Sequence, residues 1–194
     1  MSKGRLEAFS DGVMAIIITI MVLGMRAPQE SSWMALRPLV PAFLSYVLSF
    51  VLLGIYWNNH HHLLQAVRHV NGRILWANTH LLFWLSLVPF VTSWMGESHF
   101  STWPVAAYGV VLLLAAFAYF VLTRALSSHH GPDSTLAVAL GRDLKGKVSL
   151  VFYAVAIPAS FVNPLLACAL YVVVDLMWLI PDRRLERALA ERAS

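Results

Sequence analysis

The groups able to do chemistry in this sequence are few and lie in apolar surroundings. They are Asp11 near the start, the run Tyr56-Trp57-Asn58-Asn59-His60-His61-His62, the string Asn78-Thr79-His80, and Asp175 near the end. Carboxylates and imidazoles are the side chains of acid–base catalysis, metal binding and proton relays. Successive histidines on a helix point about 100° apart, so His60, His61 and His62 cannot close on one metal ion. A metal site would need His60 or His61 plus ligands from elsewhere. The aspartates and histidines are scattered rather than gathered on one face. The sequence also has no glycine-rich phosphate loop, nucleophile elbow or metalloprotease helix, so no enzyme and no cofactor are expected. Two readings stay open: hydrogen bonding inside a helical bundle, or a relay through Asp11, Asp175 and the histidines in a proton- or ion-coupled transporter.

The elements that must position these groups follow from composition. Of 194 residues, 59% are hydrophobic and 12% charged, with a mean hydropathy of +0.68. A soluble domain carries about twice that charge, so the solvent is lipid and the fold class is an all-α membrane protein. The net charge of +4 comes without a long basic run, so it reports orientation and gives no reason to expect a nucleic-acid partner. The lone Cys168 excludes an intrachain disulfide. The first apolar stretch runs to Met25-Arg26 without a small-residue cleavage site, and it reads as a retained helix.

Charges and prolines mark the segment edges, since both are costly or disruptive in lipid. They predict one domain over 1–194 built of six transmembrane helices, at about 6–25, 41–64, 74–94, 103–123, 148–159 and 162–180. The fifth is below spanning length and is closed by Pro158, while Asn163-Pro164 caps the sixth. With both termini cytoplasmic, that side receives Lys3, Arg5, Arg68, Arg73, Arg124, Arg142, Lys145, Lys147, Arg183, Arg184, Arg187 and Arg192. Only Arg26 and Arg37 are left outside. Trp33, Trp94, Trp103 and Trp178 fall near the predicted helix ends, at headgroup level. The segment Ala125 to Gly146 reads as a cytoplasmic loop. Asp175 is within reach of Arg183 or Arg184 for pairing.

The first helix is the most informative. It opens with Arg5, Glu7, Ser10 and Asp11 and then becomes wholly apolar. At about 100° per residue, Phe9, Gly12, Ile16, Thr19, Ile20 and Leu23 share one stripe and Asp11 points to the opposite side. The stripe fits ordinary helix packing. It equally fits an apolar face with one hydroxyl turned to a central axis. Asp11 fits an ion pair with Arg5, or a helix N-terminal charge interaction, as well as it fits ion coordination.

The string Arg5-x-x-x-Phe9-Ser10-Asp11-Gly12, continuing into Ala15-Ile16 and Thr19-Ile20, resembles the first-helix signature of the transmembrane protein 175 family of potassium channels. The resemblance implies a homotetramer in the cell membrane whose first helices line a central pore, with potassium as the permeant ion. It implies a main constriction at Ile16, further apolar rings at Ile20 and Leu23, and a threonine ring at Thr19 associated with potassium preference. It also implies that a histidine of the second helix, His60 or His61, ties into the Arg5, Phe9, Ser10 and Asp11 segment. The chain has no Thr-Val-Gly-Tyr-Gly filter and no arginine ladder within a span, so carbonyl selectivity and that form of voltage sensing are not expected.

Overall fold

The computed structural model describes residues 2–67, 69–130 and 144–179. Among them the chain is entirely helical: α1 (Lys3–Leu23), a 3-10 helix (Trp33–Leu39), α2 (Val40–Gln65), α3 (Gly72–Ser86), α4 (Val88–Glu97), α5 (Thr102–His130), α6 (Leu144–Val162) and α7 (Pro164–Leu179). The segments Lys3–Leu23, Trp33–Gln65, Gly72–Glu97, Thr102–His129 and Leu144–Val162 are each long and apolar enough to cross a membrane, and Pro164–Leu179 is a shorter apolar helix. Arg68, Arg142, Ile180, Pro181 and the arginines Arg183, Arg184, Arg187 and Arg192 lie outside the described residues.

The predicted third helix is two helices. Leu87 separates α3 from α4, and Pro89, which has no N–H to give to the preceding turn, follows at once. The α3 end closes with a tight bond from Leu87 N to Trp84 O, 3.2 Å. The fifth helix is longer than its prediction. Pro158 stands inside α6, which continues to Val162, because a proline's lost hydrogen bond is tolerated within a span. α6 therefore reaches spanning length. The helix predicted to end near residue 123 runs on to His130. The charge at Arg124 does not end the helix, and the Arg124 guanidinium lies 5.1 Å over the Phe120 ring. Ala125 to His130 are thus helix rather than loop, and residues 131–143 lie outside the described residues. The expected cap of the last helix is present: the Asn163 side chain accepts from Leu165 N at 2.9 Å, ahead of Pro164 in the first turn.

Packing brings α5 against α3, α6 and α7, places α4 on α2, and lays α1 across α2, α3 and α4. The fully buried side chains are mainly Leu with Met14, Ile74 and Met95, joined by the bulky Tyr108 and Tyr171. Small residues set the closest approaches, as in helical membrane bundles generally. A β-carbon on Gly96 of α4 would stand 2.7 Å from Ala42 Cα of α2, and backbone cannot step aside as a flexible side chain can. Gly96→Ala is therefore expected to lower the thermal midpoint of the detergent-solubilised protein, at an overpacking cost of about 1–3 kcal/mol. Gly54→Ala, where a β-carbon meets nothing within 4 Å, should leave the midpoint unchanged or slightly raised. Equal midpoints for the two variants would contradict this packing.

Candidate functional site

α1 has two unlike faces. Leu6, Ser10, Met14, Ile17 and Met21 recur at intervals of three and four and are buried against the rest of the bundle. The other face carries Phe9, Gly12, Ile16, Thr19, Ile20 and Leu23, all exposed on the single chain, with Ile16 at 64% and Leu23 at 79%. The stripe drawn from helical spacing is therefore one continuous uncovered apolar surface. Thr19 is its one hydroxyl, and it donates inward to Ala15 O at 2.9 Å and lies 3.1 Å from Ile16 O. Arg5 is also exposed.

The inner face is fastened by polar side chains. Ser10 Oγ donates to Leu6 O at 2.8 Å within α1, so its oxygen is left to accept, and it accepts from Asn78 Nδ2 of α3 at 2.9 Å. That orientation turns Asn78 Oδ1 toward His60 of α2, whose Nε2 lies 2.7 Å away. A carbonyl oxygen only accepts, so the His60 proton sits on Nε2 and the imidazole is the head of the relay. His60, Asn78 and Ser10 are all at or below 1% exposure. In a burial of this kind each lost bond leaves an unpaired group. The relay joins three helices through one asparagine.

Asp11 is held separately. Its Oδ1 accepts from Trp57 Nε1 of α2 at 3.0 Å, on the side of α1 that faces its own bundle. The basic neighbour Lys3 pairs with Glu7 at 3.5 Å. The readings that paired Asp11 with Arg5 or with a helix N-terminus thus give way to an indole partner. His61 stacks on the Trp57 ring, with centroids 5.8 Å apart and planes at 21°, and its Nε2 meets the Gln65 side-chain amide at 2.8 Å. His60 and His61 therefore reach the first-helix motif indirectly, one through Asn78 and one through Trp57. His62 points elsewhere and its buried Nδ1 has no partner among the described residues. His80 accepts from Trp84 Nε1 at 2.9 Å, one turn along α3. No group of three or more metal-type ligands forms among the described residues.

A second relay of the same construction ties α5, α2 and α4. Thr92 donates to Val88 O at 2.7 Å, so it accepts from Ser49 at 2.6 Å, and Ser49 in turn accepts from the Tyr108 hydroxyl at 3.0 Å. Sequence reasoning passed over these three residues, and it grouped Asn78 with the histidine cluster without giving it a partner in α1. Hydroxyl and amide side chains in apolar runs are the signal that finds them, because lipid leaves such groups nowhere else to bond.

A sequence profile for the family described as Endosomal/lysosomal potassium channel TMEM175 matches residues 5–89, a stretch that contains every member of the α1 anchor. A potassium channel of Chryseobacterium sp. (strain P1-3) is 54% identical over 191 residues, 98% of this chain and 100% of the relative. This chain belongs to the TMEM175 family. The crystal structure of a TMEM175 homologue from Chamaesiphon minutus, described as a lysosomal potassium-selective channel homologue, superposes with a TM-score of 0.80 at 28% identity. It covers 93% of this chain and 97% of that one. A bovine TMEM175, named an endosomal/lysosomal proton channel, is 30% identical over 145 residues, 65% of this chain and 30% of its own length. Membership of an ion-channel family and the apolar helices make this TMEM175 chain a multi-pass membrane protein rather than a member of an enzyme class.

Asn78→Leu removes both the His60 and the Ser10 bond while keeping side-chain volume. It should cost about 1–3 kcal/mol for each group left unpaired, read as a lower thermal midpoint in detergent. Trp57→Phe, whose lost bond is partly exposed, should cost less. An Asn78→Leu protein as stable as the unmodified chain would show that the relay does not hold α1.

Proposed function

We propose that residues 1–194 form a single six-helix channel domain, one subunit of a homotetrameric, potassium-permeable and moderately potassium-selective cation channel of the cell membrane. The α1 helices of the assembly line its central pore. The observation that carries this reading is the uncovered face of α1, an apolar stripe with Thr19 as its one hydroxyl, on a helix whose opposite face is fastened by the buried Asn78–Ser10 bond and by the Trp57–Asp11 bond. The 54% identity to a potassium channel over nearly the whole chain supports the permeant ion. The number of subunits is carried over from the family resemblance.

In this arrangement Ile16 forms the constriction, with Ile20 and Leu23 about one and two turns further along. A narrow ring of isoleucine side chains does not hold water, and a cation stripped of its hydration there meets a large desolvation penalty. A small widening admits water and removes the barrier, so the ring acts as a hydrophobic gate. Thr19 is the selectivity residue: its ring of oxygens replaces part of the ion's hydration without binding it tightly, which makes the preference for potassium moderate. Arg5 and Phe9, the other members of the first-helix motif, are exposed on the single chain. Ser10, Asp11, His60 and His61 keep the helix in place rather than touching the ion.

Three measurements test the assignment. Purified protein in a planar bilayer under a potassium/sodium gradient should give unitary steps reversing toward the potassium potential. Saturable uptake into vesicles without unitary steps would instead establish a coupled transporter. Ile16→Asn should hydrate the constriction and raise the unitary current, and an unchanged current would remove Ile16 from the gate. Thr19→Val should move the reversal potential toward the value expected for no cation preference, and a reversal potential that stays put would reject the threonine ring.

A further inference from the structure

Asp175 takes no part in the α1 anchor. It stands on α7 at 4% exposure, lining a cavity between α2, α5, α6 and α7 that is partly open to the surface. Tyr56 and Asn59 line this cavity from α2, Tyr119 from α5, and Ser149 and Tyr153 from α6. The space open to water centres is about 40 Å³, room for about two or three waters. Asn59, Gly146 and Trp178 place it toward the end of the bundle where α2 and α7 finish and α6 begins.

Among the described residues no direct hydrogen bond or ion pair reaches the Asp175 carboxyl group, and the ion pair that does form joins Lys3 to Glu7 on α1. The neighbouring polar groups are partly engaged. Ser149 donates to Lys145 O at 2.9 Å and accepts from Trp178 Nε1 at 2.8 Å, while the Asn59 amide nitrogen donates to Ile55 O at 2.8 Å. The side chains of Tyr56 and Tyr153 line the same cavity as the carboxyl. A bare carboxylate in such a place is costly unless its charge is neutralised. The cavity offers hydroxyls and water, which suit a carboxylic acid. It offers no second carboxylate and no group of three metal-type ligands among the described residues.

We propose that Asp175 is a proton-binding site inside the subunit, exchanging its proton through water held between its carboxyl group and the hydroxyls of Tyr56 and Tyr153. On uptake, a hydronium ion in the cavity gives its proton to Oδ of Asp175, forming an O–H bond and leaving water. Release is the reverse. The titratable groups that line the cavity with Asp175 are Tyr56 from α2, Tyr119 from α5 and Tyr153 from α6; the hydroxyls of Tyr108 and Tyr171 are bonded elsewhere, to Ser49 and to Val105 O. The Lys145 ammonium lies 5.8 Å over the Trp178 ring. The site does not depend on the pore assignment, since none of its members lies on the outer face of α1.

Infrared difference spectra of the full chain in lipid nanodiscs, recorded as pH is stepped, test this directly. The expected result is a carbonyl stretch of a protonated carboxylic acid that titrates with pH, shifts in D₂O and is missing from Asp175→Asn, whose amide has the shape of the protonated acid. Tyr153→Phe removes a water-bridged partner and should shift both the band and its midpoint, and it serves also if Asp175→Asn fails to elute as folded protein. Titrating acid bands that are identical in the unmodified chain and in Asp175→Asn would overturn the proposal. So would a wild-type spectrum with no acid band, with one emerging only in an Arg183→Gln or Arg184→Gln variant, because Asp175 would then be an ion-pair partner. Loss of channel activity would leave the infrared result unchanged, so failure of the pore reading and failure of the proton site are separable.

Discussion

Lipid offers no hydrogen bonds, so most polar side chains placed inside this bundle find their partners within the protein. The chain answers with relays that end on helix carbonyls. His60 gives to Asn78, Asn78 to Ser10, and Ser10 to Leu6 O. Tyr108 gives to Ser49, Ser49 to Thr92, and Thr92 to Val88 O. Trp178 gives to Ser149, and Ser149 to Lys145 O. In each case a hydroxyl first commits its proton to its own helix. That fixes it as an acceptor toward the next helix and sets the direction of everything upstream. A serine or threonine in such a position acts as a keyed socket, because only a donor fits it.

The relays matter because apolar burial does little to join helices already surrounded by hydrocarbon. Close packing at Ala42 against Gly96, and directional bonds at Ser10 and Ser49, supply the specificity that a soluble core draws from water exclusion. α1 shows the division of labour most plainly. Its inner face is keyed by Ser10 and Asp11 to α3 and α2, while its outer face needs no partner within the subunit. Rotation of α1 would break Asn78–Ser10 and Trp57–Asp11 together, so the two bonds hold its azimuth as well as its position.

Much of this was legible in the residues. Long apolar runs marked the main helices, though not the short Trp33–Leu39 helix ahead of α2, and helical spacing separated the outer stripe of α1 from the side bearing Asp11. The Asn163-Pro164 cap followed from local chemistry. Two of the misreadings share one cause, which is that charge and proline were taken as ends of helices, while the break at Leu87 is the opposite case, in which Pro89 was passed over. Pro158 sits within α6 because a span tolerates one missing bond. Arg124 sits within α5 because a helix can leave the membrane without unwinding. The partner of the first-helix motif was harder to read. Asn78 lies far from Ser10 in the chain, and nothing in its own surroundings distinguishes an asparagine bridging two helices from one bonded within its own turn. That distinction exists only once α1, α2 and α3 are assembled.

The internal bond of Thr19 bears on the sign of the ions that the outer face of α1 can accommodate. Its proton is committed to the carbonyl of Ala15, so the atom it offers away from the helix is an oxygen with unshared electron pairs and no hydrogen to give. An anion approaching that stripe meets no donor there, whereas a cation meets an electron-rich oxygen. In a pore lined by α1, exclusion of anions would then need no acidic ring. It would follow from the helix turning its own hydroxyl inward.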